Sequence, residues 1–170
     1  MLAAQFLCLP FADLTTTQLY ALLRLRSEVF VVEQVCPFQD MDNCDQQALH
    51  VLGYRGEELL CYARLLPRGS KYDAVSIGRV VSAASVRRDG FGRALMSHCI
   101  AQCQQRWPDQ DIIISAQQYL EEFYRSFGFT KVKGPYMEDN IPHLEMHLAS
   151  SDNPQSDAHE TALTDKITDA

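Results

Sequence analysis

Hydrophobic positions along the chain change period several times, and each change predicts an element. Ala4 to Pro10 is short and mostly apolar, which predicts a strand. Thr15-Thr16-Thr17-Gln18 then fits a helix capping box, followed by Leu19, Leu22, Leu23 and Arg26 at helical spacing. Gln34 through Ala48 is polar and contains Pro37, so it reads as a long loop of the kind that often covers a site. His50–Tyr54 and Glu58–Leu66 form a predicted hairpin joined at Arg55-Gly56-Glu57. Val75 to Val81 is rich in β-branched residues and reads as a strand. Leu95, Met96, Cys99 and Ile100 then recur at helical spacing. The run Ile112-Ile113-Ile114 predicts a buried strand. After it, Leu120, Phe123, Tyr124 and Phe127 share one side of a helix that Gly128 ends. Thr130–Lys133 and His143–Leu148 supply two last strands, and in the second Leu144, Met146 and Leu148 alternate with His143, Glu145 and His147. This order predicts an α/β chain with a mixed sheet flanked by helices.

Composition narrows the class. The 170 residues are 46% hydrophobic, enough for one domain with a real core. No apolar stretch is long enough to span a membrane, and the start lacks the basic region of a signal peptide. The six cysteines show no C-x-x-C spacing and several lie in apolar runs, which predicts reduced thiols and a cytoplasmic protein. The net charge is −7, from 15 Lys and Arg against 22 Asp and Glu. Four of those negative charges belong to residues 151–170. The remaining body, close to neutral and without a basic stripe, argues against nucleic acid as a partner. The expected division is a catalytic domain over 1–149 and an acidic, polar, disordered tail over 150–170.

The chemistry centres on Arg87-Arg88-Asp89-Gly90-Phe91-Gly92-Arg93, set between the Val75 strand and the Leu95 helix. A strand that feeds a glycine-bearing turn and then a helix leaves free backbone N–H groups at the positive end of the helix dipole. Such a turn binds anions, phosphates above all. It is not the dinucleotide G-x-G-x-x-G, because Leu95 stands at the third glycine, and no Gly-Lys-Ser/Thr triplet of a P-loop occurs.

Arg-x-x-Gly-x-Gly after a strand, followed downstream by Phe123-Tyr124-x-x-x-Gly128-Phe129, resembles the GNAT superfamily of acetyl-CoA-dependent N-acetyltransferases. Two further segments bring the likeness closer to its ElaA-like branch. They are Leu25-Arg26-Ser27-Glu28-Val29-Phe30-Val31-Val32-Glu33-Gln34 in the first helix and Glu138-Asp139-Asn140-Ile141-Pro142-His143 near the end. The resemblance covers roughly residues 5 to 149. It implies a GNAT fold whose two central strands splay apart to admit the cofactor, and an acyltransferase that moves an acetyl group to a primary amine.

The resemblance also implies roles for particular residues. Backbone amides from Arg88 to Arg93 (Asp89, Gly90, Phe91 and Gly92 between them) would cradle the pyrophosphate, with charge added by Arg87, Arg88 and Arg93. Val80, Val81 and Ser82 would pair with the pantetheine arm and polarise the thioester carbonyl. Tyr124 occupies the motif tyrosine and is the expected donor to the departing thiolate. Glu33, His50, Asp139, His143 and Glu145 are candidate bases, with Glu33 and His143 foremost, because Glu33 adjoins the long loop and an imidazole titrates near neutral pH. His143-Leu144-Glu145-Met146-His147 is not H-E-x-x-H, so no metal is expected. Many family loops carry glycine or another small residue at position 88, where this chain has Arg88 followed by Asp89; the expectation is that Asp89 lends only its amide. The expected partners are acetyl-CoA and an amine acceptor, with the protein a monomer or homodimer. The alternatives are a non-catalytic coenzyme A-binding regulator and an acyltransferase that takes a longer acyl donor.

Overall fold

A computed structural model describes residues 4–150. Seven strands form one mixed sheet in the order β1-β2-β3-β4-β5-β7-β6. β1 (Gln5–Pro10), β2 (Leu49–Arg55), β3 (Glu58–Leu66) and β4 (Val75–Ser82) are successively antiparallel, and β5 (Ile112–Gln117) lies parallel to β4. The hairpin of β6 (Thr130–Glu138) and β7 (Ile141–Leu148) completes the sheet through β7. The predicted strands and their order are present.

Helices cover both faces. On one side α2 (Phe91–Arg106) buries Leu95, Met96, Cys99 and Cys103 against Val75, Ile77, Ile112, Ile114 and Met146. On the other, α1 (Thr16–Arg26) buries Leu22 and Leu25 against Leu52, Tyr62 and Val81. The α1 capping box is formed as predicted, with Thr15 and Gln18 each bonding the other's amide. Beyond Arg26 the helix loosens into a π-helical turn over Ser27–Glu33, a deviation often found at functional sites.

Three boundaries differ from the sequence reading. The Tyr124 helix is only α3 (Glu121–Arg125), preceded by a tight turn at Gln118–Leu120. β6 runs on to Glu138, because Asp139 and Asn140 both take positive φ and turn the chain directly into β7. Ser150, assigned to the tail, is buried and its amide donates to Asp111 Oδ1 at 2.8 Å. The rest of the predicted tail lies outside the described residues.

What opens the sheet is a bulge in β4. Tyr62 faces Val81 and Arg64 faces Gly78, so β4 carries one more residue than β3 between those pairs. Arg79 absorbs the excess with φ of +52°. The extra residue flips the alternation. Ile77 packs on the α2 side, whereas Val81 packs on the α1 side. β4 pairs with β5 only at Val75 and Ser76, so the strands part from Ile77 onward. The expected splay is therefore present.

The bulge is anchored by an ion network that the sequence reading did not foresee. Asp40, Asp42 and Asp45, from the loop of residues 34–48, meet Arg26, Arg64 and Arg79. Arg26 Nε bonds Asp40 at 2.8 Å and its Nη1 bonds Asp45 at 2.8 Å; Arg64 grips Asp42 through both Nη atoms at 2.6 and 2.7 Å; Arg79 Nε bonds Asp40 at 2.8 Å. Three cations thus meet three anions, and Arg26 is fully buried. His50 belongs to the same assembly. Its Nε2 lies 2.9 Å from the Asp45 carbonyl, which can only accept, so Nδ1 accepts from the Tyr62 hydroxyl at 2.8 Å. Burial lowers its pKa, so it stays neutral. Those bonds remove His50 from the candidate bases.

Candidate active site

A cleft of about 760 Å³ runs through the gap between β4 and β5. Its lining includes Gly90, Gly92 and Tyr124 on the α2 side and Tyr72, Glu138 and Asp139 on the side of the long loop. It therefore reaches both faces of the sheet.

At one end stands the start of α2. Gly90 caps it with φ of +85°, and the first backbone bond into the helix is from Ala94 N–H to the Gly90 carbonyl. The amides of Gly90, Phe91, Gly92 and Arg93 have no partner among the described residues. A side chain at Gly92 would meet only Ser82 Oγ at 3.7 Å and Phe123 at 4.0 Å, and its φ is ordinary. Neither packing nor backbone strain demands glycine there. What the missing side chain leaves is clear space above free donors.

The rest of the loop sorts by geometry. Arg88 lines the cleft with φ of +74°, in the left-handed region that favours glycine; an arginine there costs about 1 kcal/mol. Asp89 departs from its expected role. Its amide already donates to the Val86 carbonyl at 3.2 Å, and its carboxylate turns outward to Arg55 at 3.5 Å. The repulsion its charge would cause is thus avoided, and it has no free donor to offer. Phe91 has a free amide, whereas its ring is buried under the Arg55 guanidinium. Arg93 is held over the Phe123 and Phe127 rings and bonds Ser126 Oγ at 3.1 Å.

Val80, Val81 and Ser82 lie beyond the last β4–β5 pair, so their β5-facing backbone edge is unpaired and lines the cleft. Tyr124 faces them from α3. Its ring packs edge-on against Phe123 and Phe129, its hydroxyl bonds no other described group, and burial raises its pKa. The phenol therefore keeps its proton and carries it unengaged in the cleft wall.

Glu33 and Arg87 are brought together in an unexpected way. Arg87 Nη1 and Nη2 bond the two Glu33 oxygens at 2.5 and 2.8 Å across the cleft mouth. This pairing holds the Glu33 carboxyl below its usual range, which makes it a poorer proton acceptor. Glu33→Gln is therefore expected to leave kcat within about threefold, because an exposed pair contributes only about 0–1 kcal/mol. Steady-state assays at two salt concentrations check this, and a loss of two orders of magnitude would restore Glu33 as the base.

His143 has the geometry of an acceptor. Its Nδ1 lies 2.8 Å from the Ile141 carbonyl, which fixes the proton on Nδ1 and leaves Nε2 with a lone pair. The ring stacks on Tyr136 and lines the cleft. Asp139 also lines the cleft, whereas Glu145 pairs with His147 at 2.9 Å.

Sequence reasoning missed a polar group at the far end. Ser115 Oγ donates to Glu138 at 2.7 Å and accepts from the Tyr136 hydroxyl at 2.8 Å, with Tyr72 beside them in the lining. The signal was present in β5. Ile112, Ile114 and Ala116 face the core, so Ser115 and Gln117 had to face the other way. Gln117 reaches across to Gln34 at 3.3 Å.

A mixed sheet parted between two parallel central strands, with a glycine-capped helix start facing the gap, defines an acyl-CoA N-acyltransferase. The chain belongs to the GNAT acetyltransferase family: the acetyltransferase (GNAT) domain matches residues 12–150. The chain is 44% identical to ElaA of Escherichia coli K12 over 140 residues, which cover 81% of this chain and 92% of that protein. An acyl-CoA N-acyltransferase from Pseudomonas aeruginosa superposes with a TM-score of 0.82 at 42% identity, over 86% of this chain and 100% of the other. The crystal structure of Escherichia coli ElaA superposes with a TM-score of 0.81 at 41% identity, over 85% and 99%. The protein is thus an acyltransferase of the ElaA-like type, as the motifs implied. Among the described residues no helix is long and apolar enough to cross a membrane, and no group of three His, Cys, Asp or Glu is placed to hold a metal ion.

Proposed function

We propose that the protein transfers the acetyl group of acetyl-CoA to a primary amine of a small molecule or peptide by direct attack on the thioester. The observation that carries this reading is the row of free amides from Gly90 to Arg93, set beside an unpaired β4 edge and the unengaged Tyr124 hydroxyl. The amides bind the pyrophosphate, and Arg88 and Arg93 add charge. The exposed Arg87–Glu33 pair is weak enough for a phosphate to compete for the arginine. The pantetheine amides pair along Val80, Val81 and Ser82, which brings the thioester to the opening.

The neutral amine then attacks the thioester carbonyl. A backbone N–H of the bulged strand stabilises the oxyanion, the C–S bond breaks, and Tyr124 donates a hydrogen bond to the departing sulfur. His143 accepts the proton the amine sheds, through Nε2. All six cysteines are free thiols, which suits a reducing, cytoplasmic setting.

A thermal-shift titration with acetyl-CoA, followed by free-thiol assays over an amine panel, tests the reading. A rise in Tm together with amine-dependent thiol release is the expected result. A Tm shift with no release from any amine would favour a coenzyme A-binding regulator, and faster release from an octanoyl donor would favour a longer acyl chain.

A further inference from the structure

The two ends of the cleft differ in charge and in neighbours. At the Tyr124 end, the groups that raise the phenol's pKa after burial itself are Tyr119 and Cys99. At the other end burial comes first, followed by Tyr136, Glu138 and Glu145, which together push the Tyr72 phenol up to about 12. The second end is thus bordered by carboxylates, with Glu138 and Asp139 in its lining.

Within it, Glu138 is a built feature rather than a loose surface acid. It sits on β6 at the rim of a tight turn, and its Oε2 accepts from Ser115, whose own oxygen accepts from Tyr136. That chain of donors fixes the carboxylate. Among the described residues its other oxygen has only Lys71 at 3.9 Å, the limit of an ion pair, on an exposed side chain. Arg64 and Arg79, which also line the cleft, are already matched by Asp40, Asp42 and Asp45. A carboxylate fixed in this way, beside an aromatic ring and without a firm counter-ion, suits a cation brought by a ligand.

We infer that Glu138 anchors a second cationic group on the acceptor, so that the preferred acceptors are amines whose carbon chain ends in another positive charge. The inference rests on the acetyltransferase reading for the identity of the attacking nitrogen. The ammonium at Glu138 keeps its proton and holds the molecule. The distant amine, deprotonated, reaches the thioester through the gap in the sheet.

Matched pairs of acceptors test it: diaminobutane against butylamine and diaminohexane against hexylamine, with an arginine-containing lysyl peptide as the polypeptide source of the same chemistry. In the wild type, kcat/KM for at least one diamine or for the peptide should exceed that of its single-charge match by about tenfold or more. In Glu138→Gln, which keeps the shape and a hydrogen-bond partner for Ser115, that ratio should fall toward one, through KM. Equal values for diamines and monoamines in the wild type would overturn the inference, and this arm stands even if the variant does not fold. A Glu138→Gln loss confined to kcat, with a displaced acidic limb of the pH–rate profile, would make Glu138 a base and would also overturn it. If no amine is acetylated, calorimetry of each pair with the coenzyme A complex still decides. Tighter diamine binding that vanishes in Glu138→Gln supports the anchor, and equal binding removes it.

Discussion

Replacing Tyr124 with phenylalanine is expected to lower kcat by tenfold or more, toward the about 10²–10⁴ typical for a positioned acid, while acetyl-CoA affinity stays within about twofold. The ring, which packs on Phe123 and Phe129, is kept, so the core is undisturbed. Only a hydroxyl without a partner among the described residues is lost. A phenol ionises near 10 and a thiol near 8.5, so complete transfer in water is uphill by roughly 2 kcal/mol. Burial raises the Tyr124 value further. In the proposed mechanism the hydroxyl therefore acts by donating while charge gathers on sulfur, with water restoring the proton afterwards. Single-turnover thiol release paired with acetyl-CoA calorimetry separates the two quantities. Unchanged turnover would take Tyr124 out of the mechanism.

Asp45→Ala is expected to cost about 3–5 kcal/mol, because it leaves Arg26 and Arg64 short of a counter-charge in a buried setting. For a domain of this size that is a fall in Tm of roughly 10 °C. The same network gives the pH dependence. Arg64 holds the Asp42 carboxyl well below the usual range, and bonds from Arg26 and Arg64 overcome burial to lower Asp45. A carboxylate with a lowered folded pKa lends stability that is complete above its unfolded value near 3.9 and disappears as pH falls toward the folded value. His50, kept neutral by burial, adds a loss that begins below about pH 6.5. Both contributions destabilise on the acid side. Melting curves from pH 7 down to 3 should show a modest decline starting near 6 and a steep one below 4. In Asp45→Ala the steep part should flatten, because less remains to be lost. A variant as stable as the wild type would mean that the loop is held by other contacts.

The strands and the two longer helices were legible because each has one apolar face and one dominant period. Isoleucines 112–114, the capping box at Thr15 and the alternation after His143 are local signals, and each appears where its pattern placed it. The loop at Gly90 was legible for the same reason, since a glycine at a helix start is a local property. The ion network was not. Asp40, Asp42 and Asp45 read as a polar loop, and only the fold brings three arginines from α1, β3 and β4 to meet them. The β4 bulge left no periodic trace, because one inserted residue shifts the alternation by the amount that a change of face requires. Glu33 lines the cleft, but its pairing with Arg87 depends on a residue 54 positions away. Glu138 lay inside a quoted motif, yet its chemistry depends on Ser115 and Tyr136, which pairing across β5, β7 and β6 brings beside it.

Because the opening between β4 and β5 passes from one face of the sheet to the other, the nucleotide carrier and its nucleophile need not share a doorway. Each can dock while the other is already seated, and spent carrier can depart without waiting for the modified product. Product-inhibition kinetics would register this traffic. Free coenzyme A should compete with acetyl-CoA, yet act on the amine's saturation curve as a noncompetitive inhibitor.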